Sequence, residues 1–176
     1  SHTVVLAPSS VVVESGSAVF DGSSTTQVQG GATFTITGGG VTIANSAALD
    51  VTSESVLVID GGNMSVSGNG ELSLDGATLQ LRDGSLVVPP NGALVVVASS
   101  VSISGGNLIV GAASALGARS IDATSPLNSV ATFSSSTVAL SGGSALALGT
   151  GAMEFTDSST LAISGGNLML QATSTF

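Results

Sequence analysis

The chain alternates in a simple way. An apolar-x-apolar triplet is followed by four to six small or polar residues, and then by another triplet. Between residues 55 and 110 this alternation repeats every 22 residues. Leu57 and Ile59 fall over Leu79 and Leu81, then over Val101 and Ile103. Met64 and Val66 fall over Leu86 and Val88, then over Leu108 and Val110, while Leu72 and Leu74 fall over Leu94 and Val96. Gly62, Gly84 and Gly106 keep the same interval, as do Asn69-Gly70 and Asn91-Gly92. A period of two means strands with one buried face. The Ser-, Gly- and Asn-rich connectors suit tight turns and left-handed backbone positions. No run has helical period over the length that a globular helix needs.

Three strands make one row, here designated A, B and C. Extended toward the N-terminus, the pattern predicts Val4 and Leu6 as a C strand and Val11 and Val13 as A. Ala18, Val19 and Phe20 form B, and Thr26 and Val28 form C. Phe34 and Ile36 (A), Val41 and Ile43 (B), and Leu49 and Val51 (C) follow, in rows of 22 to 23 residues. After Val110 the rhythm fails. It returns with C at residues 131–133, A at Val138 and Leu140, B at Leu146 and Leu148, C at Met153 and Phe155, A at Leu161 and Ile163, and B at Leu168 and Leu170. Gly106 and Gly143 are 37 apart, so about fifteen extra residues, 111–125, enter at one B-to-C corner, with a short helical turn over 112–118.

Strand repeats of this length without helices predict a β-solenoid. The expected fold is all-β: a single-stranded right-handed parallel β-helix of triangular section. It has about 22 residues per row, roughly seven rows, and one domain over 1–176 with the corner insertion at about 111–125. Rows would rise by about 4.8 Å. One row cannot bury enough to stand alone, so stacking and backbone pairing must hold it. Asn63, Ser85, Asn107 and Asn167 recur at one corner and predict a side-chain ladder that satisfies polar groups at the bend. Neither terminus carries a capping helix or charged strand, which suggests a fragment of a longer rod or end-to-end stacking.

Composition narrows the function classes. Only 7% of residues are charged and 3% aromatic, whereas 43% are hydrophobic. The regular Val, Leu and Ile positions argue against a disordered linker. A net charge of -9 with two basic residues, Arg82 and Arg119, argues against a nucleic-acid partner. Zero cysteines exclude disulfides and thiolate metal sites. No signal peptide is visible, and the longest apolar stretch, 86–98, is interrupted by Pro89-Pro90-Asn91-Gly92, so no membrane span is expected.

The rows Ser102-Ile103-Ser104-Gly105-Gly106-Asn107-Leu108-Ile109-Val110 and Ala162-Ile163-Ser164-Gly165-Gly166-Asn167-Leu168-Met169-Leu170 resemble the Gly-Gly-x-Leu rows of right-handed β-helix surface proteins. These include autotransporter passengers, filamentous adhesins and polymorphic outer-membrane-type proteins. The resemblance covers nearly the whole chain apart from 111–129. It implies an extracellular or surface location and a structural or adhesive role. No family site motif transfers residue by residue.

Asp60, Arg82 and Asp83 cluster at an A-to-B corner. Pectate-lyase-like helices place acidic residues and a base on one sheet, and glycosidases need two carboxylates at a defined separation. The competing reading is a surface ion pair between rows, and the absence of Trp and Tyr leaves no aromatic platform for sugars. The insertion is a second recognition candidate, through Leu116, Arg119 and Asp122. Deleting 111–125 should leave the rod folded. Asp50, Glu54, Asp75 and Asp83 do not form a compact calcium loop. Thr33-Thr35-Thr37 resembles an ice-binding row, but at +22 the chain offers Ser55-Leu57-Ile59 instead. Asn63-Met64-Ser65 is a formal glycosylation sequon, but Asn63 is expected to serve in the corner ladder instead. His2 is the only histidine, so no triad or metal constellation can be built on it. Val87, Val95, Val97, Ile109, Ala139, Ala147, Ala162 and Met169 are expected to face outward as a smooth flank suited to self-association or a host-surface contact.

The expected function is therefore a non-catalytic extracellular shaft without cofactors or metals. Its expected partners are further copies of itself, or a host-surface or extracellular glycan or protein. The alternative is a polysaccharide-binding or polysaccharide-cleaving β-helix that uses Asp60, Arg82, Asp83 and the 111–125 loop.

Overall fold

A computed structural model describes residues 1–89, 91–110, 129–134, 137–141, 145–148, 151–156, 160–164 and 167–170, with side-chain environments for 1–89, 91–109 and 160–164. Among these residues there is no helix, and every strand pairing is parallel. The strands are, in chain order, β1 (His2–Leu6), β2 (Ser10–Val13), β3 (Ser17–Phe20), β4 (Thr25–Gln29), β5 (Thr33–Ile36), β6 (Gly40–Ile43), β7 (Ala48–Thr52), β8 (Val56–Val66), β9 (Glu71–Asp75) and β10 (Thr78–Val88). They continue as β11 (Ala93–Val97), β12 (Ser100–Ser104), β13 (Asn107–Val110), β14 (Ser129–Ser134), β15 (Thr137–Ser141), β16 (Ala145–Leu148), β17 (Gly151–Thr156), β18 (Thr160–Ser164) and β19 (Asn167–Leu170). They stack as a parallel β-solenoid. One seven-stranded sheet runs β1-β4-β7-β9-β11-β14-β17 and contains the C strands. The A and B strands form the second sheet.

Each apolar pair meets its copy in the next row. Phe34, Leu57, Leu79 and Val101 lie in register in the A column, and Val41, Met64, Leu86 and Leu108 in the B column. All eight are at most 2% exposed, so the period-two pattern becomes a continuous apolar interior. The first row is phased differently from the expectation. Thr3 pairs with Thr26 and Val5 with Val28, which places Val5 inside and leaves Val4 and Leu6 41% and 52% exposed. The partner row decides the phase, because only Val5 can join the column headed by Val28.

Row length is set at the C-to-A corner. The register step is 23 from β1 through β7 and 22 from β8 to the β12 and β13 pairings. In the longer rows this corner uses two left-handed residues, Gly30 and Gly31 and then Ser53 and Glu54. In the shorter rows one suffices, Gly76 and then Ala98. Just after it, Ala32, Ser55, Ala77 and Ser99 point inward in one column, each at most 6% exposed. Ser55 Oγ accepts from the Gly31 N–H at 3.2 Å, and Ser99 Oγ accepts from the Ala77 N–H at 3.0 Å. Ser99 Oγ also donates to the Val97 carbonyl at 2.7 Å. The hydroxyls thus satisfy backbone donors of the preceding row where the ladder bends.

At the A-to-B corner, the sequence reads as two strands per row. In β8 and β10 they are instead one eleven-residue strand that bends without breaking. Gly61 and Gly84 take φ of +88° and +105° at these bends. A Cβ on Gly84 would run into the Gly62 carbonyl oxygen of the row before, so neither conformation nor space admits another residue. The B-to-C corner repeats a tight turn. Gly70 N–H donates to the Ser67 carbonyl at 2.8 Å, Gly92 N–H to the Pro89 carbonyl at 3.0 Å, and Asn69 and Asn91 have φ of +63° and +67°. Asn tolerates this left-handed position better than other side chains.

Beyond Val110, Ala93 pairs with Val130. That separation is 37, where the Glu71–Ala93 step is 22, an excess of 15 residues between β13 and β14. The inserted stretch itself, 111–125, lies outside the described residues, as do Leu116, Arg119 and Asp122 within it. The later pairs fall as read: Val101 with Val138, Leu108 with Leu146, and Ala131 with Met153.

Candidate functional site

The A-to-B corner collects the polar candidates. Arg82 and Asp60 approach to 3.9 Å (Nη1 to Oδ2), with side chains 58% and 47% exposed. Arg82 Nη2 donates to Gln80 Oε1 at 2.6 Å. The strand position opposite Asp60 is taken by Asp83 rather than Arg82, because the ladder is irregular on both sides of that pair. Asp83 turns its Oδ1 to its own corner and accepts from the Gly84 N–H at 2.9 Å. The three residues are thus neighbours, as their spacing indicates. What forms is one exposed Asp60–Arg82 pair, with Asp83 engaged by its own corner, and a pair this exposed contributes about 0–1 kcal/mol.

The expected corner ladder is in register without being joined. Asn63, Ser85 and Asn107 occupy one column, with Gly40 before them and Ala145 and Asn167 after. Asn63 is exposed, and no hydrogen bond links the side chains of Asn63, Ser85 and Asn107. The two amides are two rows apart, about 9.6 Å, and the serine between them is too short to bridge. The polar joints of this solenoid lie elsewhere. Besides the inward Ser55 and Ser99, Asn45 Nδ2 donates to Asp21 Oδ1 at 2.6 Å and ties two successive B-to-C corners. The Gly22 N–H donates to the same oxygen at 2.7 Å. The Asn45 amide, then the Gly22 amide, hold the Asp21 carboxyl below its ordinary value. The +24 spacing from Asp21 to Asn45 was the only sequence signal for this joint, and it departs from the row period.

The outer face of β10 and β12 contains a shallow groove of about 530 Å³, lined by Thr78, Gln80, Arg82, Ser100, Ser102 and Ser104. It arises because three serines face outward beside the longer Gln80 and Arg82 of the preceding row. No side-chain hydrogen bond engages these serines. Sequence spacing alone had put Ser55-Leu57-Ile59 above Thr33-Thr35-Thr37. The step there is 23, so the outward neighbours of Thr33 and Thr35 are Val56 and Val58, and no threonine array forms across these two rows. Of the expected apolar flank, Val87, Val95 and Ile109 are half-buried, while Val97 and Ala162 are exposed. Ala139, Ala147 and Met169 have no described side-chain environment. Among the described residues, no group of three His, Cys, Asp or Glu side chains is placed to hold a metal ion.

No known family model, curated protein or solved structure matches the chain.

Proposed function

We propose that this chain is a non-catalytic, rigid segment of an extracellular surface or fibre protein, a shaft like those of the right-handed β-helix surface proteins whose rows it resembles. The observation that carries this reading is the row-on-row stack of the described strands. Apolar columns run through successive rows, backbone groups pair from row to row, and none of the charged side chains within 1–109 is buried. A wall of small side chains held by main-chain pairing gives length and protease resistance with little chemistry on its surface. Exposed apolar positions such as Val97 supply a route to lateral association with further copies.

Two measurements test this. Proteinase K should leave the folded core of the purified chain intact, and an antibody raised against the chain should label intact, unpermeabilised cells. Rapid degradation of the purified chain, or an epitope reachable only after lysis, overturns the shaft or its location respectively.

The groove on β10 and β12 favours a second reading, binding of a polyhydroxylated glycan through Gln80, Arg82 and the three unengaged serines. A glycan array, with an activity assay on acidic polysaccharides, separates the two readings. Turnover abolished by Asp60→Ala would replace the structural reading by a catalytic one. Binding lost in Arg82→Gln without turnover would make the shaft also a lectin.

A further inference from the structure

We infer that Asn63 is the chain's acceptor for an N-linked glycan, an inference that rests on the extracellular reading and on export through a compartment that supplies a lipid-diphosphate-linked oligosaccharide. Asn63-Met64-Ser65 is the one Asn-x-Ser/Thr sequence in the chain. The fold gives it the geometry of an acceptor. Asn63 stands at the outer bend of β8, exposed, with its side-chain amide in no hydrogen bond. Strand alternation puts the Ser65 hydroxyl on the same outer face and sends Met64, 1% exposed, into the core. The column neighbours on either side are Gly40 and Ser85, so almost no side-chain volume stands beside the amide. A glycan on Nδ2 projects into solvent and displaces nothing.

In the transfer, Asn63 Nδ2 attacks the anomeric carbon of the donor sugar. The C1–O bond to the lipid diphosphate breaks, the Nδ2–C1 bond forms, a base of the transferase takes the amide proton, and the lipid diphosphate leaves. Asn107 lies in the same column two rows on, but Ile109 replaces the hydroxyl residue at +2. Asn107, half-buried where Asn63 is exposed, is therefore an internal control for the signal alone: the same column without the hydroxyl residue.

The full chain is to be secreted from a eukaryotic host behind an added leader and weighed by mass spectrometry. The wild type should carry one glycan, removable by peptide N-glycosidase. N63Q and S65A should each lose it. I109S should add a second glycan at Asn107, with the β circular-dichroism signal kept in every form. Secreted wild type without a glycan, a glycan that survives S65A, or loss of the β signal on glycosylation each overturns the inference. Because the leader forces export, these outcomes speak only to Asn63. The native location is judged separately by antibody labelling of intact cells.

Discussion

Replacing Leu79 by Ala tests the packing on which the whole rod depends. Leu79 is 0% exposed and sits in register between Leu57 on β8 and Val101 on β12. Losing three carbons at about 0.8 kcal/mol each removes about 2.4 kcal/mol of transfer energy. The cavity adds to this. The rows on both sides are tied to β10 by parallel pairing and cannot close the gap, so the total should be about 3–4 kcal/mol. For a chain of 176 residues that corresponds to a fall in Tm of roughly 10 °C. Urea unfolding followed by far-ultraviolet circular dichroism, with a thermal scan, measures it. The control is Val58→Ala, one row away and facing outward, half-buried, where the loss should stay below about 1 kcal/mol. Equal losses at the two sites would refute a packed interior. A larger loss at Val58 would mean that the inward and outward faces are exchanged.

Four further outcomes are expected. Gly92→Ala places a Cβ against the Val66 carbonyl oxygen and should cost over about 2 kcal/mol, whereas Gly30→Ala, in open space at φ +69°, should cost about 1 kcal/mol, both read by urea unfolding. Ser24→Ala removes a buried hydroxyl that has no hydrogen-bond partner, in the corner column continued by Ala47, and should be neutral or stabilising by up to about 1 kcal/mol; a clear loss would show that the hydroxyl is satisfied in solution. Asn63→Ala should change stability by less than about 0.5 kcal/mol, where a joined corner ladder would make it exceed about 1 kcal/mol. The folded pKa of Asp21 is depressed, so the stability from its hydrogen bonds is present above the unfolded value near 4 and is lost as pH falls through the lower folded value. An NMR titration of the Asp21 carboxyl should show the low midpoint, and Asn45→Ala should raise it.

Most of the architecture was legible because a solenoid converts sequence period directly into contact. Leu57, Leu79 and Val101 are neighbours for the same reason that they are 22 apart. The legibility fails where a corner changes length. At Thr33 the step is 23, and a one-residue error reverses the faces, exchanging the outward Val56 and Val58 for the inward Ser55 and Leu57. The candidate site was legible as a neighbourhood, Asp60 with Arg82 and Asp83, but not as chemistry. Exposure, register irregularity and the choice of Gln80 as the closest partner of Arg82 depend on side-chain geometry that spacing does not encode.

The sequence by itself determined the parallel stacking, the apolar interior of the rows after the first and the place of the fifteen-residue excess, because each follows from a period and its interruption. Only the tertiary structure decided which polar residues do the joining. Asn63, Ser85 and Asn107 align yet stay apart, since identical amides are two rows distant. Ser55 and Ser99 turn inward to meet backbone donors, and Asp21 reaches Asn45 across a corner, since those contacts are set by how the chain bends between strands and not by the strands themselves.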